Sequence, residues 1–235
     1  VIGSLSRLIK EDNHVQIIIL ANTHELAQQI ITVTRELGSK LIKPDKIELC
    51  VGRQVSVEEN IRAIRLHGAQ VLVGTPGRIK HLVTHQIKGV PLIRPASVRT
   101  IVLDEADCLL MDKFRDVVVD IIEALDCNRP DPLQLGIFSA TFSEDSLGIS
   151  RCLCVPDMKD RLTDDEWRKD PNAPLEILIP VENLTLDGIE QYYYNIDCMP
   201  QNIFDEKTDF LVALNEIQMI PMAIIYVNNR TTAER

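Results

Sequence analysis

The chain has 235 residues, of which 45% are hydrophobic and 26% charged, enough to bury a core in one large domain or in one domain and part of a second. The 35 acidic residues outnumber the 25 basic ones and give a formal net charge of −10, which excludes a broad electropositive surface, so any nucleic-acid binding must use a local patch, backbone amides and helix N-termini. The longest apolar runs, five or six residues, are too short to span a bilayer, and no signal segment opens the chain, so we expect a cytoplasmic or nuclear protein (or one found in both) with no membrane partner.

Residues up to about 150 alternate between short apolar runs and amphipathic helical patterns. The predicted strands, in chain order, are residues 15–21, 47–51, 70–73, 100–103 and 134–139. The predicted helices are residues 24–37, 57–66, 76–83 and 114–125. This alternation predicts an α/β fold with a parallel sheet covered by helices on both faces, in which the β-branched run 100–103 is a central strand.

From residue 152 onward the composition changes. Prolines and a charged run at 159–170 predict a surface insert over about 152–174, and a strand at 175–179 is expected to close a first domain of residues 1–180. After a linker at 181–188, residues 189–235 show a strand (190–196), a helix (206–217) and a second strand (222–227). Because a single strand–helix–strand unit cannot bury both faces of its sheet, this segment predicts only part of a second domain.

The six cysteines show no spacing typical of a disulfide framework or of a zinc site. Cys50, Cys108 and Cys127 lie in or beside apolar segments, so we expect buried free thiols.

A cluster of carboxylates, Asp104-Glu105-Ala106-Asp107, follows directly on the predicted strand at 100–103. Open α/β sheets bind ligands at the carboxyl ends of their strands. Carboxylates at that edge commonly hold Mg²⁺ and position the water that attacks a nucleoside triphosphate. Acidic residues are also favoured in the first turn of any helix, so the tetrapeptide alone leaves both interpretations open.

Further polar segments follow the other predicted strands and should lie at the same edge of the sheet: residues 21–29, Gly52 with Arg53, residues 74–78 and residues 139–141. Thr23 and Thr75 are each suited to cap the helix that follows, and Ser139 and Thr141 can cap or turn. Taken together, however, free amides and hydroxyls beside a carboxylate cluster predict a surface that binds a polyanion.

The order and residues of these segments resemble the superfamily-2 DEAD-box ATP-dependent RNA helicases. Motifs Ia, Ib, II and III of that family match residues 21–29, 75–78, 104–107 and 139–141, and residues 223–230 are similar to motif IV. The resemblance implies a RecA-like domain followed by part of a second one, ATP and Mg²⁺ as cofactors, and RNA as partner. It also implies ATP hydrolysis coupled to RNA binding and local duplex unwinding.

The resemblance further implies roles for single residues. Asp104 and Glu105 would bind the nucleotide, with Asp104 holding Mg²⁺ through water and Glu105 orienting and deprotonating the attacking water. Asp107 would link the nucleotide state to domain closure through Ser139 and Thr141. The implied RNA contacts, made to phosphates and sugars rather than to bases, come from Thr23, His24, Gly52, Thr75, Pro76, Gly77 and Arg78.

Three positions depart from the family pattern. Asn22 replaces a proline and His24 an arginine, and because histidine is mostly neutral at pH 7, a phosphate contact there would be weakened. Arg53 replaces the second glycine of a Gly-Gly pair, where it would either offset the lost charge or block the approach of an RNA backbone.

The sequence contains no Gly-Lys-Ser/Thr, and therefore no Walker A loop to hold phosphates. The resemblance places that loop and the Q motif before Val1, and motifs V and VI after Arg235. We therefore expect a fragment of a longer protein, with a truncated homologue as the alternative, and we expect residues 1–235 alone to be inactive.

Several alternatives stay open within and beyond this family. Residues 74–82, 94–99 and 204–208 are similar to the DEAD-box subunit of the survival-motor-neuron (Gemin) complex, which implies protein partners in RNP assembly and a role in spliceosomal snRNP assembly. Residues 138–144 are equally similar to the mRNA-export helicases. Outside these, a non-catalytic scaffold that binds partners through 159–170 and a DNA-directed superfamily-2 motor remain, the latter disfavoured by Thr-Pro-Gly-Arg and Ser-Ala-Thr.

Overall fold

The computed structural model describes residues 1–111, 113–126, 131–154, 173–179, 188–197, 199 and 202–234. The chain divides into two compact units, Val1–Glu176 and Ile177–Arg235. The predicted linker at 181–188 lies almost entirely outside the described residues, so the predicted domain boundaries stay predictions.

The first unit is built on a sheet of parallel strands. They are β1 (Ile17–Leu20), β2 (Ile47–Cys50), β3 (Val71–Gly74), β6 (Thr100–Leu103) and β7 (Gln134–Ile137), arranged in the order β2-β3-β1-β6-β7. The remaining strands, β4 (Gln86–Ile87) and β5 (Val90–Pro91), form a small antiparallel hairpin. Strand β6 pairs in parallel with β1 on one side and β7 on the other, so the prediction that 100–103 is an internal parallel strand is confirmed.

The helices of this unit follow the predicted pattern closely, with one substantial addition. They are α1 (Ile2–Leu5), α2 (His24–Gly38), α3 (Val57–Arg62, continued by a π-turn at Ala63–His67), α4 (Pro76–Thr84), α5 (Ala106–Leu109), α6 (Arg115–Asp126) and α7 (Glu144–Cys154). Helix α7 was not predicted, although its start carries a signal: the hydroxyl of Ser143 accepts a hydrogen bond from the Ser146 amide at 3.2 Å, and two acidic residues open its first turn.

The core lies on both faces of the sheet. Ile18 and Leu20 of β1 belong to the apolar cluster on one face, whereas Ile17 and Ile19 belong to the cluster on the other. All four side chains are buried, which explains why this strand is continuously apolar rather than alternating. The predicted α/β architecture of the first unit is therefore confirmed.

The second unit contains helices α8 (Ile203–Gln218) and α9 (Arg230–Ala233) among its described residues. The predicted strands at 175–179, 190–196 and 222–227 are wrong, because all three segments are irregular. Among the described residues of this unit no sheet covers their apolar side chains, and Tyr193 and Tyr226 are 90% and 89% exposed. An extended apolar segment becomes a strand only where neighbouring strands complete its hydrogen bonds and cover its faces.

Two smaller predictions also need correction. The predicted start of the insert at residue 152 is wrong, because residues 152–154 form the end of α7. Residues 155–172 of the predicted insert, which include the charged run 159–170, lie outside the described residues. Of the predicted buried thiols, Cys50 is buried but Cys108 is exposed, since its side chain faces outward on the short helix α5, and Cys127 lies outside the described residues. None of the described helices combines the length and apolar character that crossing a membrane requires.

Candidate functional site

The five parallel strands end in line at one edge of the sheet. Leu20 at the end of β1 lies level with Gly74 of β3 and with Leu103 of β6. Cys50 of β2 lies level with Gly74, and Ile137 of β7 with Leu103. The polar segments that follow these strands therefore leave the sheet side by side, and the predicted common edge is confirmed.

Strand order divides this edge into two halves. The loops after β2, β3 and β1 carry the predicted RNA-binding residues, and those after β6 and β7 carry the carboxylates and the Ser-Ala-Thr segment. The halves meet where the Asp104 amide, just beyond β6, donates a hydrogen bond to the Leu20 carbonyl of β1 at 3.0 Å. The loops after β1, β2 and β3, which we call the β1–β3 half, and the loops after β6 and β7, which we call the carboxylate half, are thus neighbours on one sheet.

Glu105 occupies a left-handed backbone conformation, with φ 52° and ψ 53°. A non-glycine residue there costs about 1–3 kcal/mol and persists only when its surroundings hold it. Here the carboxylate of Asp104 accepts from the Glu105 amide at 3.2 Å, and the next amide, Ala106, donates to the Phe138 carbonyl at 2.9 Å. The turn that presents both carboxylates at the edge is therefore fixed from both sides.

The carboxylates suit a hydrated Mg²⁺ ion better than a fully protein-ligated one. Among the described residues no three His, Cys, Asp or Glu side chains converge as a metal site. Mg²⁺ typically keeps several waters and uses only one or two carboxylates together with substrate phosphates. Asp104, half-buried at the edge, fits that pattern as a ligand acting through water.

Asp107 is tied to the loop after β7. Thr141 Oγ1 donates to Asp107 Oδ2 at 2.8 Å, and the Asp107 amide donates to Ser139 Oγ at 3.4 Å. Burial raises the pKa of Asp107, but the hydrogen bonds from Thr141, from the Cys108 amide and from Ser139 outweigh it, so the pKa lies below its ordinary value. The structure thus brings together the three side chains that the sequence proposed as a unit.

The predicted RNA-binding loops present hydroxyls and amides at the start of helices. Thr23 caps α2, its hydroxyl accepting from the Leu26 amide at 3.1 Å. Thr75 occupies the capping position of α4 with Pro76 next in the helix, but its side chain makes no capping bond, so that part of the prediction is wrong. At Gly52 and Gly77, apart from the chain neighbours and the backbone of the same helix, no described atom lies within 4 Å of where a Cβ would stand, so both face open space.

His24 and Arg53, two positions that depart from the family pattern, also lie in these loops. His24 is half-buried at the start of α2. Arg53 is exposed and has a left-handed backbone with φ 63°, so it takes the conformation that a glycine would adopt without strain.

Arg78 is already engaged within the protein. Its Nη1 donates to the Val55 carbonyl and to Asn60 Oδ1, both at 2.8 Å. The fully buried Asn60 in turn donates from Nδ2 to Glu48 Oε1 at 2.8 Å and to the Leu49 carbonyl at 2.9 Å. Arg78 therefore ties the loop after β2 to α3 and α4, and only its remaining N–H groups are available to an external ligand.

Asn60 and Glu48 were missed by sequence analysis. A usable signal existed, since Asn60 falls on the apolar stripe that Val57, Ile61 and Ile64 define along α3. Burial raises the pKa of Glu48, opposed by the hydrogen bond from Asn60 and by the charge of Arg35.

Comparison with known proteins places these features in a family. Residues 1–148 match the DEAD/DEAH box helicase family. Eukaryotic initiation factor 4A of Zea mays is 39% identical over 215 residues, covering 92% of this chain and 44% of that protein. Eukaryotic initiation factor 4A-9 of Nicotiana tabacum is 36% identical over 228 residues, covering 97% and 47%. The chain thus spans about half the length of these curated relatives.

Solved structures agree with this assignment. The structure of S. cerevisiae Dbp5 bound to RNA and ADP BeF3 matches 98% of this chain and 49% of its own, with a TM-score of 0.68 and 28% identity. The yeast DEAD-box splicing factor Prp28 matches 62% of this chain and 33% of its own, with a TM-score of 0.51 and 31% identity. The predicted RecA-like fold is confirmed, and this chain belongs to the DEAD/DEAH box helicase family.

Proposed function

We propose that this chain is the central part of an ATP-dependent RNA helicase that couples RNA-stimulated ATP hydrolysis to local duplex unwinding or RNP remodelling. The observation that carries the proposal is the hydrogen bond from Thr141 Oγ1 to Asp107 Oδ2, because it joins the carboxylate segment to the loop after β7. The β1–β3 half lies at the same edge of the sheet. A plain acidic helix start has no need for such a link.

The chemistry follows from what each side chain can do at this edge. Mg²⁺ and the triphosphate, when bound, supply the reacting phosphoryl group and the charge that neutralises it. Asp104 would hold the ion through water, and Glu105, fixed in its left-handed turn, would orient the attacking water and take its proton. Asp107 stays ionised and accepts from the loop after β7, so a shift of that loop changes its surroundings.

RNA is expected along the half of the edge formed by the loops after β1, β2 and β3. The hydroxyls of Thr23 and Thr75 and the amides near Gly52 and Gly77 suit phosphate and sugar oxygens, which carry no sequence information. Arg78→Ala should therefore weaken the binding of unrelated RNA sequences to a similar degree.

The decisive test is Glu105→Gln in the whole protein, with Glu36→Gln on the exposed face of α2 as a matched control. We expect RNA-stimulated phosphate release to fall by about 10²–10⁴-fold, the usual contribution of a general base, while nucleotide binding is kept. The control should retain full turnover. Unchanged turnover in Glu105→Gln would refute the assignment of the base.

The biological setting is a finer proposal. The initiation-factor 4A relatives support a role of the translation-initiation type, whereas a role in mRNA export rests on residues 138–144 alone. A subunit of the survival-motor-neuron complex acting in snRNP assembly rests on residues 74–82, 94–99 and 204–208 alone. We propose action in the cytoplasm, the nucleus or both. Mass spectrometry of proteins that copurify with the tagged whole protein separates these settings.

A non-catalytic scaffold is the second candidate, and one observation favours it: the guanidinium of Arg78 is partly committed to internal acceptors while His24 replaces an arginine. A scaffold should keep all its partners and its cellular function in Glu105→Gln. Loss of function in that variant, with partners retained, would support the enzyme instead.

A further inference from the structure

A second candidate site lies at the opposite edge of the sheet. Lys46 immediately precedes β2 and Gln70 immediately precedes β3, and both line a cavity of about 510 Å³ that the candidate active site does not reach. We call it the lysine cavity. Its walls include Lys10, Leu41, Lys43, Lys46, Leu66 and His67.

The lysine cavity is positively charged, although the chain as a whole is acidic. Three lysines face one carboxylate, that of Asp45, which leaves a surplus of two positive charges when His67 is counted as neutral. The whole chain has a net charge of −10. Within the described part of the chain, no ion pair neutralises Lys10, Lys43 or Lys46. Like charges gathered in a concave surface repel one another, and an anion removes that cost.

Lys46 is held in place by neutral acceptors. Its Nζ donates to Asn13 Oδ1 at 2.8 Å and to the His67 carbonyl at 2.6 Å. Gly68 has a left-handed φ of 61°, and a Cβ there would lie 3.1 Å from Lys46 Nζ. The ammonium is therefore held by uncharged acceptors, and one of its three N–H groups remains for a ligand.

The loop that carries Lys10 is fixed by two buried amides. Gln70, 1% exposed, donates from Nε2 to the Lys10 carbonyl at 3.0 Å. Gln16, fully buried, donates from Nε2 to the Ile9 carbonyl at 2.8 Å and accepts from the Ile9 amide at 2.8 Å. Tying down a loop in this way explains the glutamines, but it does not explain why lysines face one another across the space that remains.

We propose that the lysine cavity binds a small phosphorylated molecule. Phosphate oxygens would lie against Lys10, Lys43 and Lys46, and the carbon skeleton against Leu41 and Leu66, whose side chains are 40% and 73% exposed. The volume falls within the range of roughly 300–1,000 Å³ usual for small-molecule sites. This site is independent of the proposed ATPase function, since it shares no residue with it.

The test uses inorganic tripolyphosphate as the probe, with the purified chain in magnesium-free buffer, followed by isothermal titration calorimetry. The variant is the double substitution Lys10→Gln with Lys43→Gln, because both side chains are exposed and carry no structural hydrogen bond among the described contacts, unlike that of Lys46. The matched control is Lys113→Gln with Lys207→Gln, which makes the same change of charge at exposed positions elsewhere.

We expect one tripolyphosphate per chain, with binding about tenfold weaker in the Lys10/Lys43 variant and unchanged in the control, as expected from losing two solvent-exposed ion pairs. The amide NMR signal of Gly68 should shift during the titration. A parallel arm offers vesicles containing phosphatidylinositol phosphates: binding to vesicles alone, lost in the same variant, identifies a lipid headgroup as the source of the phosphate. No binding of either probe, or equal losses in variant and control, would overturn the proposal. RNA binding lost in the variant without tripolyphosphate binding would overturn it in favour of an RNA contact.

Discussion

Asn60→Ala is the substitution that best tests the packing beneath the β1–β3 half of the site. The side chain is fully buried and makes three hydrogen bonds: to Glu48 Oε1, to the Leu49 carbonyl and from Arg78 Nη1. Removing it therefore deprives three partners of a hydrogen bond at once.

The magnitude follows from the nature of these partners. A neutral hydrogen bond contributes about 1 kcal/mol and one to a charged group about 1.5–3 kcal/mol. Glu48 and Arg78 are half-buried and recover part of this by binding water, whereas the Leu49 carbonyl depends more on Asn60. We expect a net loss of about 2–4 kcal/mol, a large part of the roughly 5–15 kcal/mol that stabilises a typical domain.

The loss should also depend on pH. The pKa of Glu48 is raised in the folded protein, so its contribution to stability is fully present below the unfolded pKa and is lost as the pH rises through the folded pKa. Asn60→Ala removes the hydrogen bond that lowers this pKa, so the pKa rises further. The variant should therefore lie closer to the parent protein at about pH 4 than at about pH 7.

The assay is urea unfolding of the purified chain, followed through the amide NMR signals of β1 and β3 so that it reports on the first unit alone. Asn22→Ala is the matched control, because Asn22 makes no side-chain hydrogen bond among the described contacts and should change stability by less than about 0.5 kcal/mol. A loss for Asn60→Ala no larger than that of the control would refute the reasoning.

Three further outcomes are expected. Thr141→Val removes a hydrogen bond that lowers the pKa of Asp107, so this pKa should rise in a carbon-detected NMR titration. On acidification, the stability that the Asp107 carboxylate contributes above its unfolded pKa should then be lost at a higher pH than in the parent protein. An unchanged pKa would show that the bond is absent in solution. Gly74→Ala places a Cβ 2.1 Å from the Cys50 carbonyl oxygen and should cost at least about 3 kcal/mol in the same urea assay, so a fully stable variant would contradict the close approach of β2 and β3. Residues 1–235 alone, which contain no Walker A loop, should release phosphate from ATP only at background rate with saturating RNA and Mg²⁺, and turnover abolished by Glu105→Gln would contradict this.

Local pattern was sufficient to find the five parallel strands of the first unit and the polar segments that follow them, but it missed helix α7 and the β4-β5 hairpin. Central parallel strands are buried on both faces, so their consecutive residues are largely apolar, and this is why the apolar runs of β1 and β6 could be identified as strands. The Asp104–Asp107 and Ser139–Thr141 segments could be assigned to one edge, since the carboxyl ends of parallel strands always share it.

Tertiary structure decided what depends on residues distant in the chain. The order β2-β3-β1-β6-β7, which separates the loops of the β1–β3 half from the carboxylates, does not follow from the chain order of the strands. The segments at 190–196 and 222–227 have the composition of strands but are irregular, because a strand also needs neighbours that complete its hydrogen bonds. From the sequence, Arg78 appeared free to contact RNA, but in the fold its Nη1 lies 2.8 Å from Asn60 Oδ1. A contact between residues 18 positions apart depends on how the fold places α3 relative to α4, and no local pattern of residues records that.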